Sequence, residues 1–281
     1  MTLVAAVLGA SFAASPACPP ANLVPYPGTV ALVHVAGGRF LVGKQEYLDN
    51  PARVVNLESF DIAAYDVTNL EFQKFVDATG YRSDAERLQN AMDFAPPMRE
   101  FRWSPDKSAG WRFPNGIHRT GAEDIPAHPV TQISYTDAEA YCRWSGYRLP
   151  TLDEWEVASR AGATTKYFWG DDPSEIGVYA NVWHGRDHMT ADSSDGYMYT
   201  SPVGTFKPNP WGLYDIYGNV FQFCSGHLPS DRSTRIVHAR GGSWWCSKNA
   251  CCAFNSADIG RIDRHASFSN LGFRVVASQV R

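Results

Sequence analysis

An α+β domain with little regular secondary structure is what the sequence predicts, on three observations. First, the 281 residues hold 23 Gly and 18 Pro, dense punctuation for loops, alongside 9 Trp, 13 Tyr and 15 Phe to pin those loops by packing. Second, three segments share one helix-start signal, Thr68-x-x-Glu71, Thr136-x-x-Glu139 and Thr151-x-x-Glu154, each a capping box. Third, the strand-like runs are short and lie on both sides of these helices. An apolar fraction of 44% supports a substantial core, and no linker, internal repeat or low-complexity tract divides the chain, so a single domain is expected.

In chain order, residues 2–17 are apolar and small, like the h-region of a secretory signal, and Ser15-Pro16-Ala17 reads as its cleavage site, although a basic n-region is absent. A frayed N-terminus is the plain alternative. Cys18 follows directly, which admits a lipoprotein, but Ser15 stands where a lipobox usually has Leu. The organisation expected is 1–17 signal peptide, 18–32 Pro-rich lead-in and 33–281 the domain, exported to the periplasm or secreted, with its cysteines in an oxidising compartment. Ala31 to Val42 predicts a β-hairpin turning at Gly37-Gly38, and Val54 to Ala64 another strand-like run.

The three helices carry apolar residues at helical spacing: Leu70, Phe72, Phe75 and Val76; Ala138, Tyr141, Cys142 and Trp144; Trp155, Ala158 and Ala161. Each ends near a glycine suited to the left-handed stop, Gly80, Gly146 or Gly162. Residues 83–128 read as an irregular surface insertion, 163–236 as mostly loops with a short strand at Ser201 to Phe206, and Leu271 to Arg274 as a final strand. A net charge of −4 without a basic block argues against nucleic acid, and no apolar run reaches the ~18 residues that a membrane span needs.

Chemistry concentrates at the C-terminal end. Cys246, Cys251 and Cys252 fall within seven residues, after the tight turn Gly241-Gly242-Ser243. Two thiols five apart can close a disulfide or jointly hold a soft metal, and spacing leaves both open. The pairing of Cys252 with Cys224 or Cys142 is not readable from sequence. His184 and His188 stand i, i+4 in a loop with Gly185 between them, so a helical zinc pair is not expected, and neither a nucleophile elbow nor a phosphate loop occurs.

Taken in order, the motifs resemble the sulfatase-modifying-factor family, best known for the formylglycine-generating enzyme. The resemblance is carried by Gly38 to Gly43, Tyr65-Asp66-Val67-Thr68-Asn69, His128-Pro129-Val130, Ala140-Tyr141-Cys142-Arg143-Trp144, Arg148-Leu149-Pro150-Thr151, Gly212 to Val220 and Arg240-Gly241-Gly242-Ser243, across residues 33–277. It implies a C-type-lectin-like α+β fold. It also implies that Cys246 and Cys251 hold Cu(I), with Ser243 assisting, in an oxidase that uses O2 to convert a substrate cysteine to an aldehyde. A structural calcium is implied at the Asn181 and Asp195 side chains with the Val182 and Tyr197 carbonyls. A second is implied at Asp215, Gly218, Val220 and Gln222, where the usual last residue is acidic and an amide supplies no charge. Past Cys251 the arginine-rich pattern that holds the sulfatase peptide is missing, so a cysteine-bearing or related substrate, peptide or small molecule, other than the standard peptide is expected. The rebuilt pocket reads as lined by Trp244, Trp245, Phe221 and Phe254. Two alternatives remain: an exported oxidase maturing a siderophore chromophore of the pyoverdine type, and a non-catalytic calcium-bound module that binds a ligand.

Overall fold

Many short strands and few helices build the fold in the computed structural model, which describes residues 30–95, 102–190, 192–247 and 254–277 and the backbone of Val24–Pro25. The N-terminal part holds β1 (Val24–Pro25), β2 (Ala31–Val35), β3 (Gly38–Val42), β4 (Arg53–Leu57), β5 (Phe60–Ala63), α1 (Asn69–Thr79), α2 (Asp84–Leu88), β6 (Ala91–Asp93) and β7 (Ser104–Pro105). Then come α3 (Tyr135–Ser145), β8 (Tyr147–Arg148), α4 (Leu152–Arg160) and α5 (Ile176–Tyr179). The C-terminal part holds β9 (Phe221–Cys224), β10 (Ile236–Arg240), β11 (Gly260–Asp263), β12 (Ser267–Phe268), β13 (Leu271–Gly272) and β14 (Val276–Ala277). One sheet runs β1-β2-β5-β14-β8, a second β11-β10-β9-β13, a third β12-β6-β7, and β3 pairs with β4 alone. The expected signal peptide and Cys18 lie outside the described residues.

The expected hairpin over 31–42 does not form. β2 pairs with β1 and β5, and β3 pairs with β4, so Gly37 and Gly38 lead the chain from one sheet to another. The capping boxes at Thr68/Glu71 and Thr151/Glu154 form as expected. α3 instead starts two residues early, on Ser134 with Asp137, because the Asp137 carboxylate also accepts from Tyr81 Oη and Asp84 N. A fourth box, Ser83 with Glu86, opens α2. Gly80 and Gly146 take the left-handed stops, while Ala161 takes that role at the end of α4. Leu70 and Trp144, expected in the core, are exposed. No strand forms over 201–206, where Thr205 N donates to Pro202 O in a turn.

Residues 83–128 are not a surface insertion. Trp111 is buried edge-on against Phe72 at 5.4 Å, and Phe94 is fully buried among tryptophans. Each fully buried aromatic ring removes a large apolar area from water, about 25 cal/mol per Å2, so this segment is part of the core.

A buried ionic network fixes the strand that leads into the cysteine turn. Glu156 of α4 accepts from Gly43 N, Asn50 Nδ2 and Arg160, and lies 3.2 Å from Arg240 at the end of β10. Arg240 also donates to Ser256 O at 2.6 Å and stacks over Trp155. Burial alone would raise the Glu156 pKa, but the two arginines and Asn50 hold it below its usual value.

Candidate functional site

Past Arg240 the chain must reverse sharply, and Gly241 and Gly242 do this at φ 92° and 74°. A side chain at Gly241 would meet Ile216 O at 2.8 Å, so the turn packs directly on the 215–220 loop. The turn is then held by a ladder of main-chain bonds. Gly218 N donates to Gly241 O, Trp244 N to Asn219 O and Trp183 N to Cys246 O, each at 2.9 Å, while Asn219 N donates to Asn181 O at 2.8 Å. Both loops at which the family resemblance implies calcium therefore touch the cysteine turn.

At its centre, Ser243 Oγ lies 3.9 Å from Cys246 Sγ and accepts from Asn270 Nδ2 at 2.9 Å. All three residues are buried. With the Asn270 amide filling a lone pair, the Ser243 hydroxyl proton is left for the sulfur side. Asn270 ends the segment just before β13 and was not singled out from sequence; a polar residue entering a final strand was the one signal for it.

Cys246 is disulfide-bonded, and Cys142 and Cys224 are buried free thiols whose pKa burial pushes up to about 12. Neither Cys142 nor Cys224 is therefore the structural partner considered for Cys252. Cys251 and Cys252 lie outside the described residues. A disulfide sulfur carries no thiolate charge, so Cys246 suits Cu(I) only once reduced.

Trp244 and Trp245 stand with Phe94, Trp183, Trp103 and His188 in one aromatic wall beside the turn. His188 stacks on Trp245 at 4.2 Å, and its Nε2 lies 2.7 Å from Trp245 O. The other two expected lining residues stand outside this wall but in the core of Cys246: Phe254 shares its cluster, packing on Tyr167 and Tyr217, and Phe221 packs against that cluster and against the other main core.

Among the described residues no three His, Cys, Asp or Glu side chains converge as a metal cage. A calcium at the first loop would therefore lean on amide and carbonyl oxygens around Asp195. Asp195 suits it: Oδ1 accepts from Tyr197 N at 2.9 Å, while Oδ2 is buried without a hydrogen-bond partner, 3.3 Å from His184 Nε2. Asn181 commits its amide hydrogens to Tyr199 O and Asn219 Oδ1, which joins the 181 and 199 segments. His184 and His188 face different partners.

The second loop differs. Asp215, at φ 50°, accepts from Gly204 N at 2.7 Å through Oδ2, and its Oδ1 is buried without a hydrogen-bond partner. Burial raises its pKa to about 6. Gln222 Oε1, however, already accepts from Trp155 Nε1 and from Arg274 Nε, each at 2.7 Å. This donor set does not fit a calcium.

Fold and site together define a loop-rich α+β domain that presents a cysteine beside a buried serine–asparagine pair. The chain belongs to the sulfatase-modifying-factor family: residues 20–279 match the model of the sulfatase-modifying factor enzyme 1-like domain. It is 35% identical to the formylglycine-generating enzyme of Bos taurus, covering 93% of this chain and 76% of that protein. It is 34% identical to the inactive C-alpha-formylglycine-generating enzyme 2 of Mus musculus, covering 89% and 87%. The solved structure of PvdO from Pseudomonas aeruginosa superposes with a TM-score of 0.68 over 92% of this chain and 99% of that one, at 24% identity, which shows the shared fold.

Proposed function

We propose that this protein is an exported, copper-dependent oxidase that uses O2 to oxidise a thiol substrate, in the manner of its formylglycine-generating relatives. The carrying observation is the buried contact between Ser243 Oγ and Cys246 Sγ, with Asn270 orienting the hydroxyl. Reduced Cys246 and Cys251 would hold Cu(I), which supplies activation of O2. Net conversion of a cysteine side chain to an aldehyde, with its sulfur released as hydrogen sulfide, removes two electrons. Full reduction of O2 to water takes two more, from a thiol reductant.

The chain's own residues do the rest. Ser243 keeps a proton beside the sulfur, Asn270 fixes the direction of that proton, and the Trp244–Trp245 wall keeps water away from the turn. The substrate is a cysteine-bearing or related molecule other than the standard sulfatase peptide, because the polar clamps after Cys251 are absent from the sequence.

The test is Cu(I) titration of anaerobic, reduced protein. One tight equivalent is expected, lost in Cys246→Ser and in Cys251→Ser. Absence of stoichiometric Cu(I), or binding unchanged in Cys246→Ser, would sink the reading.

One observation favours a second reading, a non-catalytic calcium-bound ligand module: Cys246 is disulfide-bonded. That reading expects a bond resistant to mild thiol reductants and retained ligand binding in Cys246→Ser.

A further inference from the structure

We infer that the second calcium site implied by the family likeness is absent from this chain, and that Gln222 closes its place as a neutral clasp. The inference starts from the orientation of one amide. An indole N–H and a guanidinium N–H can only donate, so the Gln222 atom lying 2.7 Å from both Trp155 Nε1 and Arg274 Nε is the oxygen. The other atom lies 2.7 Å from the Asp215 carbonyl, which can only accept, so it is the nitrogen. The amide is thus fixed without ambiguity by three bonds.

Three consequences follow for a cation. Both lone pairs of Oε1 are taken. Turning Oε1 toward a calcium would strand Trp155 Nε1 and Arg274 Nε, and both side chains are fully buried. The atom that does face Asp215 is an NH2 group, whose hydrogens repel a cation. The Arg274 guanidinium already stands 2.7 Å from the same amide and donates to the Ala63, Ala64 and Tyr214 carbonyls as well. A divalent ion would sit against this positive charge, with Asp215 the one carboxylate among the four residues that the likeness implies as ligands; the neighbouring Asp66 carboxylate already faces Arg274 at 3.3 Å. Calcium is bound by six to eight oxygens, several of them charged where affinity is high.

A glutamate at 222 would reverse this. One carboxylate oxygen would keep Trp155 and Arg274, and the other would replace the NH2 group and face the Asp215 carbonyl. Two acceptors then confront each other, and a cation between them relieves the repulsion.

The experiment is calcium stoichiometry by calorimetric titration of chelator-stripped protein, for the natural chain, Gln222→Glu and Asp215→Asn. Gln222→Glu should bind one equivalent more than the natural chain, and Asp215→Asn should bind the same number as the natural chain. A natural chain that loses one equivalent in Asp215→Asn would overturn the inference, as would a folded Gln222→Glu that gains none. If Gln222→Glu does not fold, the Asp215→Asn comparison decides alone. An added Asp195→Asn variant reports on the first site separately: its count relative to the natural chain tests that reading and leaves the Gln222→Glu difference untouched.

Discussion

Two loops press on the cysteine turn, and they treat buried charge in opposite ways. Around Asp195 the protein leaves a carboxylate oxygen buried and without a hydrogen-bond partner, with a histidine 3.3 Å away. Around Gln222 the main acceptors are met by the protein's own donors, because the Arg274 guanidinium reaches the amide oxygen and three main-chain carbonyls. Leaving a buried polar group unmet costs more than a met one contributes. The first loop therefore leaves Asp195 Oδ2 unmet beside a histidine, while the second fixes Gln222 with the protein's own donors and leaves Asp215 Oδ1 unmet. Both bond to the same turn, through Trp183 and Asn219, so the position of Cys246 depends on both loops.

The largest expected effect breaks the closed side. Arg274→Met removes every donor that Arg274 supplies and leaves Gln222 Oε1 and the carbonyls short of partners. Each buried acceptor left unmet costs about 1–3 kcal/mol, so a loss of several such terms is expected, to be read from urea denaturation. A loss below about 1 kcal/mol, the size expected of an exposed ion pair, would mean that the second loop is not held in this way.

The next effect tests the open side. If calcium binds at Asp195, saturation at about 100 times its dissociation constant should stabilise the fold by about 2.7 kcal/mol, seen as a shift of the denaturation midpoint between calcium and chelator. Asp195→Asn should abolish that shift, and Asp215→Asn should preserve it. The same addition should slow reduction of the Cys246 disulfide, because Trp183 N holds Cys246 O from the 181–183 segment.

Parts of this contrast were legible in the sequence. The capping boxes at Thr68 and Thr151 are local arrangements between side chain and backbone, and both formed. The box at Thr136 failed because Ser134-x-x-Asp137 satisfies the same rule two residues earlier, and the choice rested on Tyr81 and Asp84, more than fifty residues away. The β2–β3 hairpin failed for a similar reason. A glycine pair permits a turn, but β2 and β3 pair instead with strands β5 and β4, which lie further along the chain. The glycine turn before Cys246 was legible, since only glycine takes consecutive positive φ at little cost. Asn270 was not, because its role depends on a contact 27 residues away in sequence. Trp244 and Trp245 adjoin Cys246 in sequence but pack in a separate aromatic cluster, whereas Phe254 shares the core cluster of Cys246 and Phe221 packs against it, since adjacency in a loop does not set side-chain direction.

The smallest effect sharpens the comparison through pH. Asp66 is fully buried, and neither carboxylate oxygen has a hydrogen-bond partner. Burial, opposed by Arg274 and reinforced by Asp215, raises its pKa to about 8. In the unfolded chain an aspartate titrates near 3.9. The folded protein thus keeps a proton that the unfolded chain has already released, and stability falls as pH rises from about 4 to about 8. The slope from one such group is about 1.4 kcal/mol per pH unit at most. Asp215, raised to about 6, adds in the same direction over a narrower window. Glu154 and Glu156, held low by arginines, contribute below about pH 5, outside the range that matters. Asp66→Asn keeps the shape of the protonated acid and cannot ionise. Measured in chelator, so that the Asp195 loop does not contribute, the variant should match the natural chain near pH 4 and gain on it steadily toward pH 8. A constant difference across that range would place the charge of Asp66 in full partnership with Arg274, and the Gln222 side of the molecule would then hold two matched ions rather than an acid kept neutral by burial.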